Sequence, residues 1–277
     1  MVREDLIEGR NRETVVLRIA SVNPYSAELT SEQLELLADI AERYGGGRAH
    51  VTARQTIEIP DIPKSLVNEV VPLLEQQGLR IGSTGKKLRN VIACSRWCLY
   101  NAMPMSELAC ELNEQYMNVE LPGKTTISLS GCNFSCVRSK TSDIGVIARA
   151  DIGLTEKKCK HCKICIKEPL GCQVDAITLT EEGVMIDKTR CVRCGFCWNV
   201  CRPGSIEAQK TYFDVYIGGK GGLQPNEAKF FASVENESEL KELIDRIINT
   251  YKGYARKGER IADLLERQGM EVFNATA

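Results

Sequence analysis

Apolar and polar residues alternate over 14–20, and β-rich composition returns over 48–60, so both segments are read as strands. Between them the spacing becomes helical. Leu34, Leu37, Ile40, Ala41 and Tyr44 share one face, Thr30 stands as N-cap with Gln33 at the third helical position, and three glycines, Gly45 to Gly47, end the run. A second helix is predicted over 64–77, closed by Gly78; Pro72 inside it should kink it or delay its regular start. Strand–helix–strand–helix over 14–80 makes a compact α+β unit.

Further along, 90–93 and 125–130 read as strands, each leading directly into a cysteine pair, with a helix over 105–116 between them. From 156 to 209 the composition shifts to Cys, Lys and Gly with few long apolar runs, which marks a small inserted module. A strand resumes over 212–217, and the GGKGG stretch at 218–222 makes a backbone-exposing loop. In the tail, Ser238 is the predicted cap of a helix carrying Leu240, Leu243, Ile244, Ile247, Ile248 and Tyr251. A second amphipathic helix contains Ile261, Leu264 and Leu265.

Charge narrows the choice of partners. Lys plus Arg (36) nearly balances Asp plus Glu (37), so neither a nucleic-acid partner nor an acidic solvating tail is expected. Every apolar run is shorter than the roughly 18–20 residues of a membrane span, and the charged start MVREDLIEGR lacks a secretory apolar stretch. A cytoplasmic location follows as the expectation. The two histidines, His50 and His161, have no motif context, and no Walker loop, Rossmann fingerprint or Ser/His/Asp arrangement is visible. GGKGG lacks the GxGxxG spacing, which argues against a nicotinamide site and for electrons arriving from another protein.

Cysteine is the outlier. Of thirteen, eight fall between Cys159 and Cys201, as two C-x2-C-x2-C runs each followed by a fourth cysteine. That spacing, without a secretory signal, points to metal or cluster ligation rather than disulfides. The runs repeat: Cys159, Cys162 and Cys165 recur at an offset of 32 as Cys191, Cys194 and Cys197, while Cys172 and Cys201 differ by 29 because the first copy is longer. The pattern resembles the bacterial two-cluster ferredoxin, with Gln173 and Arg202 in place of its usual proline. The resemblance implies two [4Fe–4S] clusters whose fourth ligands cross over. One is held by Cys159, Cys162, Cys165 and Cys201, the other by Cys191, Cys194, Cys197 and Cys172. Zinc ribbons would use paired C-x2-C motifs instead of interlocked quartets. Lys157, Lys158, Lys160, Lys163 and Lys167 crowd the first run, either as a docking patch for an acidic donor or as an offset to the charge of a thiolate-ligated cluster.

Two more pairs, Cys94/Cys98 and Cys132/Cys136, each have i, i+4 spacing, which on a helical turn puts two thiols on one face, suited to neighbouring corners of a third cube. Cys110 between them reads as a buried core thiol. Here the chain resembles the sulfite and nitrite reductase family, most closely the anaerobic and dissimilatory sulfite reductases. The carrying residues are Thr52-Ala53-Arg54-Gln55 on a strand, Leu88-Arg89-Asn90 leading into Cys94, and 130–136 (SGCNFSC) running on to Asp143-Ile144-Gly145.

That resemblance implies a fold and a chemistry. The fold is α+β: a ferredoxin-like half-domain (1–82), a sirohaem/[4Fe–4S] α/β domain (83–154 and 208–277), and an inserted bacterial-type 2[4Fe–4S] ferredoxin module (155–207). The cofactors are three [4Fe–4S] clusters and a sirohaem, with Cys136 bridging cluster and haem iron. Arg54, Arg89, Arg138 and Lys140 would meet the tetrapyrrole's carboxylates. Arg89, Lys124 and Arg54 would bind the anionic substrate, since fixed cations, and above all arginine, suit carboxylates and oxyanions.

The chain departs from the family in three places. Its first pair is C-x3-C where C-x5-C is usual, Ala20 stands where active members place an arginine, and Thr125-Thr126 follow Lys124 where a second lysine is common. The expected activity is reduction of sulfite to sulfide, with nitrite reduction on the same pocket, or a non-catalytic electron-transfer or redox-sensing role, as alternatives. One copy of the family repeat implies a homodimer or a place in a larger complex.

Overall fold

The computed structural model describes residues 6–22, 25–82 and 84–274. The first five residues of the charged start, and Ser83 at the first expected domain junction, lie outside them.

Strand β1 (Ile7–Glu8), β2 (Thr14–Ser21), β3 (His50–Val51), β4 (Thr56–Pro63) and β5 (Leu79–Ile81) form an antiparallel sheet in the order β1-β2-β4-β3, with β5 also on β2. Val15, Leu17 and Ile19 of β2 point to one face, where helices α1 (Ser31–Tyr44) and α2 (Val67–Gln76) cover them with Leu37, Ile40, Val70 and Leu74. Both halves of the Thr30/Gln33 capping box form. The α2 start is delayed: 64–66 make a 3-10 turn, and α2 then runs on through Pro72.

Two expectations change here. The 48–60 segment is two strands, not one, and Thr52–Gln55 is the tight turn between them rather than strand. Thr52 Oγ1 accepts from the backbone N–H of Arg54 and of Thr56, and Gln55 takes a left-handed φ of 57°.

The second sheet has the order β12-β11-β8-β7-β6, from β6 (Ile92–Ala93), β7 (Ile127–Ser130), β8 (Ile144–Leu154), β11 (Ile206–Ile217) and β12 (Lys229–Val234). β6, β7 and β8 are parallel, and β11 and β12 join antiparallel. Parallel neighbours need crossovers of a dozen residues or more. One contains helix α3 (Ser106–Tyr116); the other is the loop 131–143. In open α/β sheets, ligand crevices lie outside the carboxyl ends of such strands, and both cysteine pairs are there.

Helices α5 (Glu237–Tyr254), α6 (Ile261–Gln268) and α7 (Glu271–Asn274) bury Leu243, Ile247, Tyr251, Leu264 and Phe273 in the second core. The α5 cap is Asn236, not Ser238: Asn236 Oδ1 accepts from Glu239 N (2.9 Å), and the Glu239 carboxylate accepts from Asn236 Nδ2 (2.7 Å).

The cysteine-rich segment is built from the hairpin of β9 (Ile177–Thr180) and β10 (Gly183–Ile186) and the short helix α4 (Phe196–Val200). Leu154, the last residue of β8, is paired in register with Ile206, the first of β11. The chain therefore leaves and re-enters the sheet at one point, which lets an insertion grow there without breaking the strands.

Candidate functional site

The loops holding Cys94/Cys98 and Cys132/Cys136 are turns, not helix: Cys98 N donates to Ser95 O and Ser135 N to Cys132 O, and Ser135 has a left-handed φ of 52°. Ala102 N, donating to Gly131 O (2.7 Å), ties one to the other, and Asn101 Nδ2 donating to Ser95 O (3.0 Å) braces the first loop internally. A Cβ at Gly131 would meet Asn101 Oδ1 at 1.5 Å, so only glycine lets the loops close. Gly131→Ala is expected to cost about 1–3 kcal/mol through overpacking, read as a lowered urea midpoint. An unchanged midpoint would mean that this contact is slack.

All thirteen cysteines are free of disulfides. Burial pushes the Cys132 thiol up to about 12, and the neighbouring thiols of Cys94, Cys194 and Cys98 add to it. Cys94 is raised by burial and by Cys136 and Cys98. These four thiols are thus gathered into one group. In the inserted segment, Cys165 is pushed up to about 11 by burial with Cys162, Cys159 and Cys201 beside it. Cys197 is pushed up to about 12 by burial with Cys194, Cys191 and Cys172 beside it. Each group takes its fourth thiol from the other repeat. Burial disfavours the thiolate at these positions, so each would need a neighbouring positive charge to ionise. Cys110 is only half-buried on α3, with burial raising it to about 11, and both His50 and His161 are exposed.

Against β6 and β7, the two strands whose following loops carry the cysteine pairs, lies a crevice lined by Arg54, Lys124, Arg138 and Arg260, with Ile92, Ile127, Ser128, Gly221 and Gly222 among its other walls and no cysteine among them. The Thr52–Gln55 turn is clamped over the strand ends. Gln55 exchanges hydrogen bonds with the Ala93 backbone (2.7 and 3.1 Å), and Asn90 Nδ2 donates to Arg54 O (2.8 Å). Lys124 is lowered by burial and then by Arg54, Arg260 and Arg89, with Asp143 the opposing charge. Arg54 is lowered by burial and by Arg18, with Glu58 opposing. Cations thus collect here beyond the local carboxylates, which is the electrostatic signature of an anion site.

Two expected cations are displaced from the walls. Arg89 is buried, donates to Gly85 O (2.9 Å) and is pushed down to about 10 by burial and then by Arg54 and Arg18; it is not a lining residue. Lys140 sits half-buried on a 3-10 turn whose backbone receives Ala228 N, also away from the lining.

Sequence reading missed Arg260. Its guanidinium grips the fully buried Asp143 through two hydrogen bonds (2.9 and 2.6 Å), while Asp143 also accepts from Thr126 N and Oγ1 (2.8 and 2.7 Å). The residues are 117 apart; the only local signal was a carboxylate opening the apolar run of β8.

Grouped thiols in the loops after β6 and β7, and surplus cations in a crevice on the same strands, are the two features of the site. The comparisons give the family. The model of the nitrite and sulphite reductase 4Fe–4S domain matches residues 84–277, and that of the nitrite/sulfite reductase ferredoxin-like half domain matches 9–77; the chain belongs to this family. It is 34% identical to an uncharacterised protein of Methanocaldococcus jannaschii, over 88% of this chain and 84% of that one. It is 30% identical to a coenzyme F420-dependent sulfite reductase of the same organism, over 87% of this chain but 39% of the longer relative. The crystal structure of dissimilatory sulfite reductase I shares the fold, with a TM-score of 0.73 at 21% identity, covering 95% of this chain and 68% of that one.

Proposed function

We propose that the chain is a sirohaem-dependent sulfite reductase whose electrons arrive through two [4Fe–4S] clusters in the inserted module, with boundaries at 1–82, 83–154 plus 208–277, and 155–207. The observation that carries the reading is the crevice lined by Arg54, Lys124, Arg138 and Arg260 on β6 and β7, the same two strands whose following loops hold Cys94, Cys98, Cys132 and Cys136. A sirohaem bound there would supply iron for the substrate sulfur and a conjugated path for electrons. Arg54, Arg138 and Arg260 would hold its carboxylates. Lys124, whose ammonium is already made more acidic by burial and by neighbouring cations, would hold the anion and yield a proton as an S–O bond weakens. Hydrogensulfite, six electrons and six protons give hydrogensulfide and three waters.

The departures from the family are partly offset within this crevice. Ala20 is buried beside Val22 and Met117 and offers no charge; Arg18, on the same face of β2, is ion-paired with Glu58 and does not line the crevice. Thr126 holds Asp143, and Asp143 holds Arg260 at the crevice wall. These cations would accept nitrite as well as sulfite, so the two anions are offered separately in any assay. The proposed setting is a cytoplasmic homodimer or larger complex; among the described residues no helix is long and apolar enough to cross a membrane.

The test is the visible spectrum and iron content of anaerobically purified protein. A red-region sirohaem band and about twelve cluster irons per chain are expected, falling to about eight when Cys162 and Cys165 are both changed to serine. Clusters without the red band would leave an electron carrier in place of the enzyme.

A further inference from the structure

The two thiol quartets of the inserted segment occupy different positions relative to the crevice. The second, Cys172/Cys191/Cys194/Cys197, abuts the sheet-end thiols, with Cys194 within electrostatic reach of Cys132. Aromatic and amide contacts fix that junction. Tyr100 stacks on Phe196 (centroids 4.5 Å apart) and meets Phe134 edge-on at 5.4 Å, and its hydroxyl donates to Leu170 O at 2.6 Å. Asn199 Nδ2 donates to the carbonyls of Leu99 and Asn101.

The first quartet, Cys159/Cys162/Cys165/Cys201, makes none of these contacts, and Cys162 is exposed. Around it Lys157, Lys158, Lys160, Lys163 and Lys167 are all exposed, and Arg202, next to Cys201, is exposed as well. No ion pair among the described residues engages any of the six. Glu156 and Glu168 are the only carboxylates in the same stretch, 156–168, and the exposed Glu181 and Glu182 lie on the β9–β10 turn, whose Gly183 adjoins Cys159, so the six cations outnumber the four carboxylates.

We propose that this lysine-rich face around the first quartet is the docking surface for an acidic one-electron carrier protein, an inference that rests on the reading of both quartets as [4Fe–4S] sites. Position and charge argue for it together. The inner quartet is the one packed against the Cys94/Cys98 and Cys132/Cys136 loops, which leaves the outer quartet as the point of entry. The chain as a whole is slightly negative, with a net charge of −1. An acidic carrier therefore gains no attraction from the molecule at large; steering must come from a local concentration of cations. At each encounter the carrier is oxidised by one electron, the outer site is reduced by one, and the oxidised carrier leaves, so one sulfite needs six encounters. Charge steering on a small contact suits this, since it speeds arrival without slowing release.

The experiment follows cluster bleaching by anaerobic stopped flow in the cluster-loaded full chain, with no sulfite present. A reduced acidic ferredoxin is the carrier, and reduced methyl viologen is the small-molecule control. The second-order rate with ferredoxin should fall roughly tenfold or more as salt shortens the Debye length from about 30 Å to about 8 Å. Lys158→Gln/Lys160→Gln/Lys167→Gln should lower the low-salt rate by about the same factor and flatten its salt dependence. Lys229→Gln, an exposed lysine on β12, should change neither. Viologen rates should be the same in all three proteins.

A salt-insensitive ferredoxin rate in the unsubstituted protein would overturn the proposal, and that arm needs no variant. So would a triple variant slowed equally with viologen, because the lysines would then serve the cluster rather than the carrier. Should the triple variant lose iron, Lys167→Glu alone replaces it with the same expectations. Absence of bleaching by viologen in the unsubstituted protein would remove the cluster reading itself, and the docking surface with it.

Discussion

Cys136→Ser should abolish sulfite turnover, a loss of more than about a hundredfold, since even partners one shell out from a metal are worth 10–100-fold. The red-region band should be lost or uncoupled from the cluster at the same time. Cys98 is the informative comparison. Both thiols are exposed members of the sheet-end group, but they face different neighbours. Two residues after Cys98 comes Tyr100, which packs against Phe196 of the inserted segment; two residues after Cys136 comes Arg138, which lines the crevice. On the proposed reading, in which Cys136 bridges cluster and haem, Cys98→Ser should damage the cluster alone and leave a perturbed sirohaem band. Cys110→Ser, half-buried on α3 and apart from all three thiol groups, should leave spectrum and turnover intact. If Cys110→Ser and Cys136→Ser behave alike, the grouping of the sheet-end thiols is wrong.

The second large effect is on stability. Asp143 is fully buried, and Arg260 is its ion-pair partner. Arg260→Met leaves a buried carboxylate without its counter-charge and should cost about 3–5 kcal/mol at neutral pH. The pH dependence has a definite sign. Burial already raises Asp143, while Arg260 and Thr126 pull it down. Without Arg260 the folded-state value rises further above the unfolded one, so the folded protein holds that proton more tightly. The deficit should then shrink as pH falls through the raised folded-state value, where the stranded carboxylate takes up its proton, and Asp143→Asn added to Arg260→Met should recover part of the loss at neutral pH. Urea unfolding at two pH values reads both. A deficit that grows on acidification would contradict the assignment of Asp143 as the stranded charge.

What was legible in the sequence was local. The Thr30/Gln33 capping box, the delayed α2 and the two offset cysteine runs each express physics confined to a few residues, and the sequence showed them directly. The strands before each cysteine pair were legible for the same reason. What failed depended on partners far away or on backbone states that no residue type advertises. Nothing in Thr52-Ala53-Arg54-Gln55 announces a left-handed Gln55; that conformation is held by hydrogen bonds to Ala93, 38 residues on. β8 was missed because 144–148 are buried on both faces in the middle of the sheet, so the alternation that marks a half-exposed strand is absent. Asn236 and Ser238 are both competent caps, and only the reciprocal bond with Glu239 decides between them. The cation list shows the same limit: Arg89 is buried away from the crevice lining, and Arg260 arrives from the C-terminal helices.

The central claim is that one chain gathers electrons through paired thiol-held clusters and delivers them to an anion in the Arg54/Lys124/Arg138/Arg260 crevice. Its most direct test is the electron balance of the purified, sirohaem-bearing protein on reduced viologen with sulfite as the sole acceptor. The account predicts sulfide as product, with close to six viologens oxidised per sulfide formed. No sulfide from a protein whose spectrum shows both sirohaem and clusters would contradict it.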